Sequence, residues 1–304
     1  MPDPDVFLLI PTHTTRHLAA CLASLAHLEE PPRALVVTCD TDDPTIGELL
    51  DGLAPRVNSI LASRDENQIP IWHTFRPHQG RAQLNQVRNN GLRALRAHAS
   101  LTPEDLVVVL DGDTMLASNA IAQHRALLRQ GAQFIIPYRF MVGEEATRDL
   151  DAESVLSGGV PRSALVTHAM EADLAHRARR YRRHLWMKRF GLGKPHKPKL
   201  IGGHHAVRFD RLLEANGFDE EYVGYRFNDD DLSRRLHQLR PRIRTAIAVT
   251  QIEAYHLWHP IRAPERLQDA PGYERWSRRD LPPRCERGIE RPLEQPEPVV
   301  RRVV

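Results

Sequence analysis

The chain has 304 residues, of which 41% are hydrophobic and 27% are charged. That composition is typical of a globular protein with a sizeable core, and it excludes wholesale disorder, collagen-like repeats and disulfide-stapled miniproteins. The formal net charge is only +3, which is too small to indicate a nucleic-acid partner by itself. We therefore predict a protein that does not bind nucleic acid.

The cysteines and the N-terminal sequence point to a reducing compartment. Cys21, Cys39 and Cys285 are far apart and odd in number, so they offer neither a CxxC pair nor a disulfide framework. The apolar run Val6–Ile10 follows no basic segment, and no 18-residue apolar stretch occurs, so neither a signal peptide nor a membrane span is predicted. The sequence predicts a cytoplasmic protein.

Five short apolar runs in the first 140 residues alternate with segments of helical periodicity. Continuous runs of this kind are typical of parallel strands that are buried on both faces. The predicted strands are Val6–Ile10, Ala34–Thr38, Ile69–Phe75, Leu106–Leu110 and Phe134–Tyr138. The alternation predicts an α/β fold with a mostly parallel central sheet and helices on both faces, whose functional site lies at the carboxyl ends of the strands.

The second half of the chain has a different character. Residues 176–199 hold ten Lys/Arg and no acid, which fits either a solvated helix face or a surface for phosphates, an anionic acceptor or a membrane leaflet. Strand-like patterns return at Leu200–Arg208 and Ile243–Val249. After Pro260 the chain is rich in Pro, Arg and Glu, so we expect residues 261–304 to be partly disordered or to wrap the surface.

Two acidic motifs carry the clearest chemical signal. Asp111-Gly112-Asp113 follows the strand Leu106–Leu110 directly, which suits a divalent cation that bridges phosphate oxygens, although a helix-capping Asp would look the same. Asn228-Asp229-Asp230-Asp231 begins a predicted helix after a glycine pair, Gly202-Gly203. Asp residues are good caps, yet three adjacent carboxylates repel one another, which favours a role in accepting a proton or binding substrate.

Two histidines follow these acids late in the chain. His256 and His259 are three residues apart, beside Tyr255 and Trp258. A histidine is more often structural than a ligand, and the chain has 16 of them. Imidazole nevertheless suits Mn²⁺ better than Mg²⁺, so a late histidine would complete an acidic metal site.

In this order the motifs resemble the nucleotide-sugar-dependent glycosyltransferases with the GT-A fold, up to about residue 260. The N-terminal part is similar to family 2 enzymes in LLIPTHTT at 8–15, TCDTDDPT at 38–45, HQGRAQLNQVRNNGL at 78–92 and LDGDT at 110–114. Residues 202–232 are similar to the C-terminal part of the β-1,4-galactosyltransferases. The resemblance implies a GT-A domain over 1–260, with a nucleotide-binding half at 1–140, an acceptor and catalytic half at 141–260, and an extension at 261–304.

The resemblance also implies roles for individual residues. Asp229 matches the catalytic base and Asp230 its acceptor-binding neighbour, while Asp113 and His256 match the ligands of a divalent ion, Mn²⁺ or Mg²⁺. The residues implied to contact the donor, a UDP-sugar, are Pro11, Thr12, Asp40, Asp42, Arg88, Asn89, Asp111 and Gly203.

The sequence thus predicts an inverting, metal-dependent transfer of a sugar from a nucleoside-diphosphate sugar to a hydroxyl of a glycan or small-molecule acceptor. Three alternatives stay open. VVVLDGDT also resembles the opening of haloacid-dehalogenase-type phosphatases, and a nucleotidyltransferase would share the sheet, although PTHTTRH has no glycine. Asn228 stands where the family has Glu, which leaves room for a catalytically inactive sugar-nucleotide-binding protein. For this predicted cytoplasmic protein, the sequence also leaves open a peripheral contact with the inner face of the membrane through residues 176–199.

Overall fold

The computed structural model describes residues 3–65, 68–194, 197–200, 202–224, 226–260, 266–278 and 280–304. The strands within these ranges are β1 Val6–Pro11, β2 Ala34–Cys39, β3 Ile71–Phe75, β4 Leu106–Leu110, β5 Thr114–Leu116, β6 Phe134–Ile136, β7 Phe140–Met141, β8 His204–Arg208, β9 Thr245–Ile247, β10 Ala254–His256 and β11 Val299–Arg302. The helices are α1 Leu18–Ser24, α2 Thr45–Asp65, α3 Leu84–His98, α4 Ala120–Arg129, α5 Glu144–Arg148, α6 Ala152–Leu156, α7 Arg162–Leu165, α8 His168–Arg189, α9 Phe209–Ala215, α10 Asn228–Gln238 and α11 Tyr273–Ser277.

The predicted α/β class and the mostly parallel central sheet are confirmed. Within the described part of the chain, eight strands form this sheet in the order β11-β3-β2-β1-β4-β8-β6-β9. The pairs β1–β2, β1–β4, β2–β3 and β6–β9 are parallel, whereas β8 is antiparallel to both of its neighbours. All seven strands predicted from apolar runs are present, and several are shorter than their apolar runs.

The sheet centre is apolar because helices cover it. Every residue of β1, β2 and β4 is buried, as expected for strands packed on both faces. Helix α3 lies against β1 and β2, and a Cβ added at Gly91 would overlap Leu9 and touch Thr38. This close approach brings the first turns of α3, with Arg88 and Asn89, toward the carboxyl ends of the strands.

A second, smaller sheet stands beside this edge. Its order is β5-β10-β7, with β10 antiparallel to β5 and parallel to β7. The register places His256 opposite Thr114. As a result, the late histidine motif lies next to Asp113, the residue before β5.

The C-terminal residues, which the sequence analysis assigns to an extension after residue 260, contribute a strand to the central sheet. β11 pairs antiparallel with β3 and covers the edge of the sheet. Asn216 Nδ2 donates to the carbonyl of Cys285 at 3.0 Å, and Glu220 Oε2 accepts from the N–H of Leu293 at 2.8 Å. Residues 280–304 therefore wrap the body of the protein, because a free sheet edge and two buried polar side chains provide partners for them.

None of the described helices is both long enough and apolar enough to cross a membrane.

Candidate functional site

The site is built at the carboxyl end of β4, where the Asp111–Asp113 loop is tied to its neighbours by backbone hydrogen bonds. The N–H of Asp111 donates to the carbonyl of Gly203 at 3.0 Å, and the N–H of Gly112 donates to the carbonyl of Pro11 at 3.2 Å. The loop is thus fixed between the end of β1 and the residues that precede β8. Main-chain hydrogen bonds therefore position the loop that carries the two acids.

Asp113 lies in a group of three side chains of the kinds that can ligate a metal ion. Its Oδ2 is 3.5 Å from Nε2 of His256 and 3.1 Å from Nε2 of His259. One ligand atom from each residue lies within 4.8 Å of the others. Burial alone would raise the pKa of Asp113, but the hydrogen bond and charge of His256, together with the charges of Arg139 and His259, outweigh it and hold that pKa well below its usual range. The group therefore favours an ionised carboxylate beside two imidazoles.

Arg88 joins this group to the second acidic motif. The Arg88 side chain is 1% exposed, and its Nη1 donates to Asp229 Oδ1 at 2.9 Å while Nη2 lies 3.5 Å from Asp111 Oδ1. Its guanidinium carbon is 5.0 Å from the centroid of the Phe218 ring. Burial raises the pKa of Asp111. The charge of Arg88 lowers that pKa, whereas the charges of Asp113 and Asp229 raise it further. Two motifs that are 118 positions apart therefore share one cation.

The three adjacent acids of α10 avoid mutual repulsion by pairing with three different cations. The ion pairs are Asp229 with Arg88 at 2.9 Å, Asp230 with Lys199 at 3.2 Å, and Asp231 with Arg235 at 2.8 Å. The last pair is 1% exposed on both sides, so Asp231 has a structural role. Asn228 donates its amide to the carbonyl of Gly224 at 3.2 Å and lies outside these pairs.

Gly202 and Gly203 stand at positions where the site leaves no room for a side chain. A Cβ at Gly202 would overlap Oδ2 of Asp229. A Cβ at Gly203, which has a φ of +85°, would overlap Nη1 of Arg139 and lie 2.8 Å from Asp111 Oδ2. The backbone of both glycines therefore lies close to the acids of the site.

The predicted donor residues lie along the neighbouring strand ends. The N–H of Thr12 donates to the carbonyl of Thr38 at 2.9 Å, next to Pro11 at the end of β1. Asp40 follows β2, and its Oδ2 is 3.4 Å from His78 Nδ1 and 4.0 Å from Arg76. Asp42 is exposed to solvent.

The side chain of Asn89, a predicted donor residue, makes its hydrogen bonds outside the acidic cluster. Its amide nitrogen donates to the carbonyl of Phe218 at 2.7 Å and to Glu220 at 2.9 Å, and its Oδ1 accepts from the N–H of Phe218 at 3.0 Å. Asn89 thus fastens the loop that carries Phe218, which packs on Arg88. It acts on the site through that loop.

Sequence reasoning missed three polar residues of this site. Arg139 Nη1 is buried, lies 3.9 Å from Asp111 Oδ2, and has no hydrogen-bond partner among the described residues. Lys199 pairs with Asp230, and His17 Nε2 is 2.9 Å from the carbonyl of Trp258. Arg139 follows the predicted strand Phe134–Tyr138, so its position at a strand end was a usable signal. Lys199 and His17 offered none.

Comparison with known proteins finds no matching family model and no matching curated protein. Among solved structures, the chain is similar to S. aureus TarS residues 1–349 in complex with UDP-GlcNAc, with 13% identity and a TM-score of 0.45 over 87% of this chain and 61% of that one. It is also similar to GalNAc-T7 with UDP, GalNAc and Mn²⁺, with 14% identity and a TM-score of 0.48 over 85% of this chain and 45% of that one. A mycobacterial protein gives 13% identity and a TM-score of 0.42 over 85% of this chain and 69% of that one. This chain thus spans less than two thirds of the first two.

Proposed function

We propose that the protein is an inverting, metal-dependent glycosyltransferase that moves a sugar from a UDP-sugar to a hydroxyl of a glycan or small-molecule acceptor. The observation that carries this proposal is the continuous cluster from Asp113 through Asp111 and Arg88 to Asp229. This cluster lies at one strand edge, where α/β sheets bind nucleotides, and it joins side chains that suit a cation to a separate carboxylate. The sequence resemblance to GT-A enzymes supports the same reaction.

The metal-ligating residues fit a divalent first-row ion. Asp113, His256 and His259 offer one carboxylate and two imidazoles, a set that suits Mn²⁺ better than Mg²⁺, which prefers oxygen ligands and keeps its waters. When bound, such an ion neutralises the negative charge that grows on the departing nucleoside diphosphate.

The chain's own residues supply the remaining functions. Asp229 would accept the proton of the attacking hydroxyl, and its hydrogen bond to buried Arg88 fixes the direction in which its carboxylate points. Arg139, whose buried Nη1 lacks a hydrogen-bond partner among the described residues, would donate to a phosphate oxygen of the donor. Asp230, held by Lys199, is the proposed acceptor contact.

The test is a donor screen that follows UDP release from several UDP-sugars, using EDTA-treated protein with Mn²⁺, Mg²⁺ or neither. We expect turnover with a UDP-sugar, faster with Mn²⁺, and a parallel loss of turnover and donor affinity in Asp113→Asn. Asp149→Asn, an exposed acid of another loop, is the matched control. Hydrolysis of p-nitrophenyl phosphate without UDP release would favour the phosphatase, and undiminished turnover after EDTA would remove the metal from the mechanism.

A further inference from the structure

Helix α8 and its C-cap residue, Phe190, carry an exposed stripe of two arginines and two aromatic residues. Arg179, Arg183, Trp186 and Phe190 follow at spacings of four, three and four, which places them within about 60° of one another around a helix of 3.6 residues per turn. The side chains that α8 buries lie on its other side, and they are Leu174, Ala178 and Tyr181. We call Arg179, Arg183, Trp186 and Phe190, with Leu192 just beyond them, the α8 face.

The apolar part of this face is unusually open. Trp186 is 58% exposed, Phe190 is 63% exposed and Leu192 is 56% exposed. The Trp186 and Phe190 rings touch edge to face, with centroids 4.9 Å apart. Single exposed apolar residues are normal, but three together at one helix end mark an interaction site.

The charge around the apolar residues selects the partner. Residues 176–199 contain ten Lys/Arg and no acid, and the exposed arginines that flank the stripe are Arg180, Arg182 and Arg189. Tryptophan and phenylalanine insert at the boundary between lipid headgroups and acyl chains, while arginines beside them pair with lipid phosphates. A polyanion in water would use the arginines and leave the rings exposed. The combination therefore fits an anionic lipid surface.

A lysine that follows this face in the sequence pairs with an acid of α10. Lys199 pairs with Asp230 at 3.2 Å. Burial lowers the pKa of Lys197, and the charges of Lys199, Asp230 and Arg180 also act on it. Arg180, which flanks the α8 face, and Asp230 thus both act on Lys197.

We infer that the α8 face docks the protein on an anionic lipid leaflet, with Trp186 and Phe190 inserted among the headgroups and the arginines on lipid phosphates. This inference is independent of the proposed reaction, because it concerns only vesicle binding. The sequence leaves a solvated helix face, a phosphate or anionic-acceptor surface and a membrane leaflet open for residues 176–199. Of these, the inference selects the membrane leaflet.

The experiment is co-sedimentation of the full chain with vesicles of neutral phosphatidylcholine, with or without a quarter of phosphatidylglycerol. We expect binding to the anionic vesicles only, weakened as salt rises because surface charges are screened. Arg179→Glu/Arg183→Glu should weaken binding by about fivefold or more for each arginine. The matched control, Arg96→Glu/Arg129→Glu, changes exposed arginines of α3 and α4 and should bind like the wild type.

The aromatic pair separates a leaflet from any other polyanion. Trp186→Ser/Phe190→Ser should weaken vesicle binding by about tenfold or more, because two exposed rings would no longer move from water into the lipid. The control Leu267→Ser should bind vesicles like the wild type. Heparin binding should depend on the arginines alone. The inference is overturned if anionic vesicles do not bind, if both arginine pairs lose binding equally, or if the Trp186→Ser/Phe190→Ser variant binds vesicles like the wild type.

Discussion

Replacing Asp229 by Asn tests the proposed chemistry most directly. Asn has nearly the same size and keeps an oxygen that accepts the hydrogen bond from Arg88 Nη1, which is 2.9 Å long. It loses the ability to take a proton from the acceptor hydroxyl. The substitution therefore separates proton transfer from the shape of the site.

The expected loss of kcat is set by the value of general-base assistance. Such assistance contributes about 10²–10⁴-fold, which corresponds to about 2.7–5.5 kcal/mol in the barrier. The cost to folding should be smaller. Asp229 is 26% exposed on its side chain and Arg88 keeps Asp111 as a partner, so we expect a loss of about 1 kcal/mol in the free energy of unfolding. Donor affinity should stay nearly unchanged.

The assay combines UDP release at saturating donor and acceptor, UDP binding by calorimetry, and urea denaturation. Asp230→Asn, which changes the neighbour paired with Lys199, is the control variant and should act mainly on acceptor KM. A wild-type kcat in Asp229→Asn with a collapse in Asp230→Asn would mean that the base is Asp230. Full activity in both variants would refute a catalytic role for this acidic cluster.

Three further predictions concern the backbone of the site, its proposed metal ligands and the pH dependence of folding. Gly203→Ala should lower the free energy of unfolding, measured by urea denaturation, by at least about 1–2 kcal/mol. The φ of +85° at this position is left-handed and costly for alanine, and the added Cβ would displace Arg139. Unchanged stability would show that the loop adapts freely. His259→Ala should weaken Mn²⁺ binding in calorimetry at least about tenfold, and an equal affinity would remove His259 from the ligand set. Burial lowers the pKa of His73 to about 4. Between pH 6.5 and 4 the unfolded chain therefore binds a proton that the folded chain does not. The free energy of unfolding should fall on acidification by up to about 1.4 kcal/mol per pH unit. His73→Asn should flatten that slope, and an identical slope would contradict it.

The fold class was accessible from the sequence because the signals are local. β1, β2 and β4 are buried on both faces, so each had to be an uninterrupted apolar run, and α3 shows its buried face as a helical spacing of apolar residues. The short strands β5, β7 and β10 left no such signal, since two or three residues carry no periodicity. β11 at the C-terminus was likewise missed, because its charged residues resemble a solvated tail.

The sequence alone also placed the acids of the site at strand ends and helix starts, where local signals and the family resemblance agree. Only the tertiary structure decided their partners. Arg88 shares its guanidinium between Asp111 and Asp229, and His259 joins Asp113 through the register of β10 on β5. These contacts join residues more than 20 positions apart, so they depend on how strands and helices pack, and no local pattern encodes that packing. The α8 face was visible in the sequence as charge, but its exposed rings became clear only once the buried side of the helix was known.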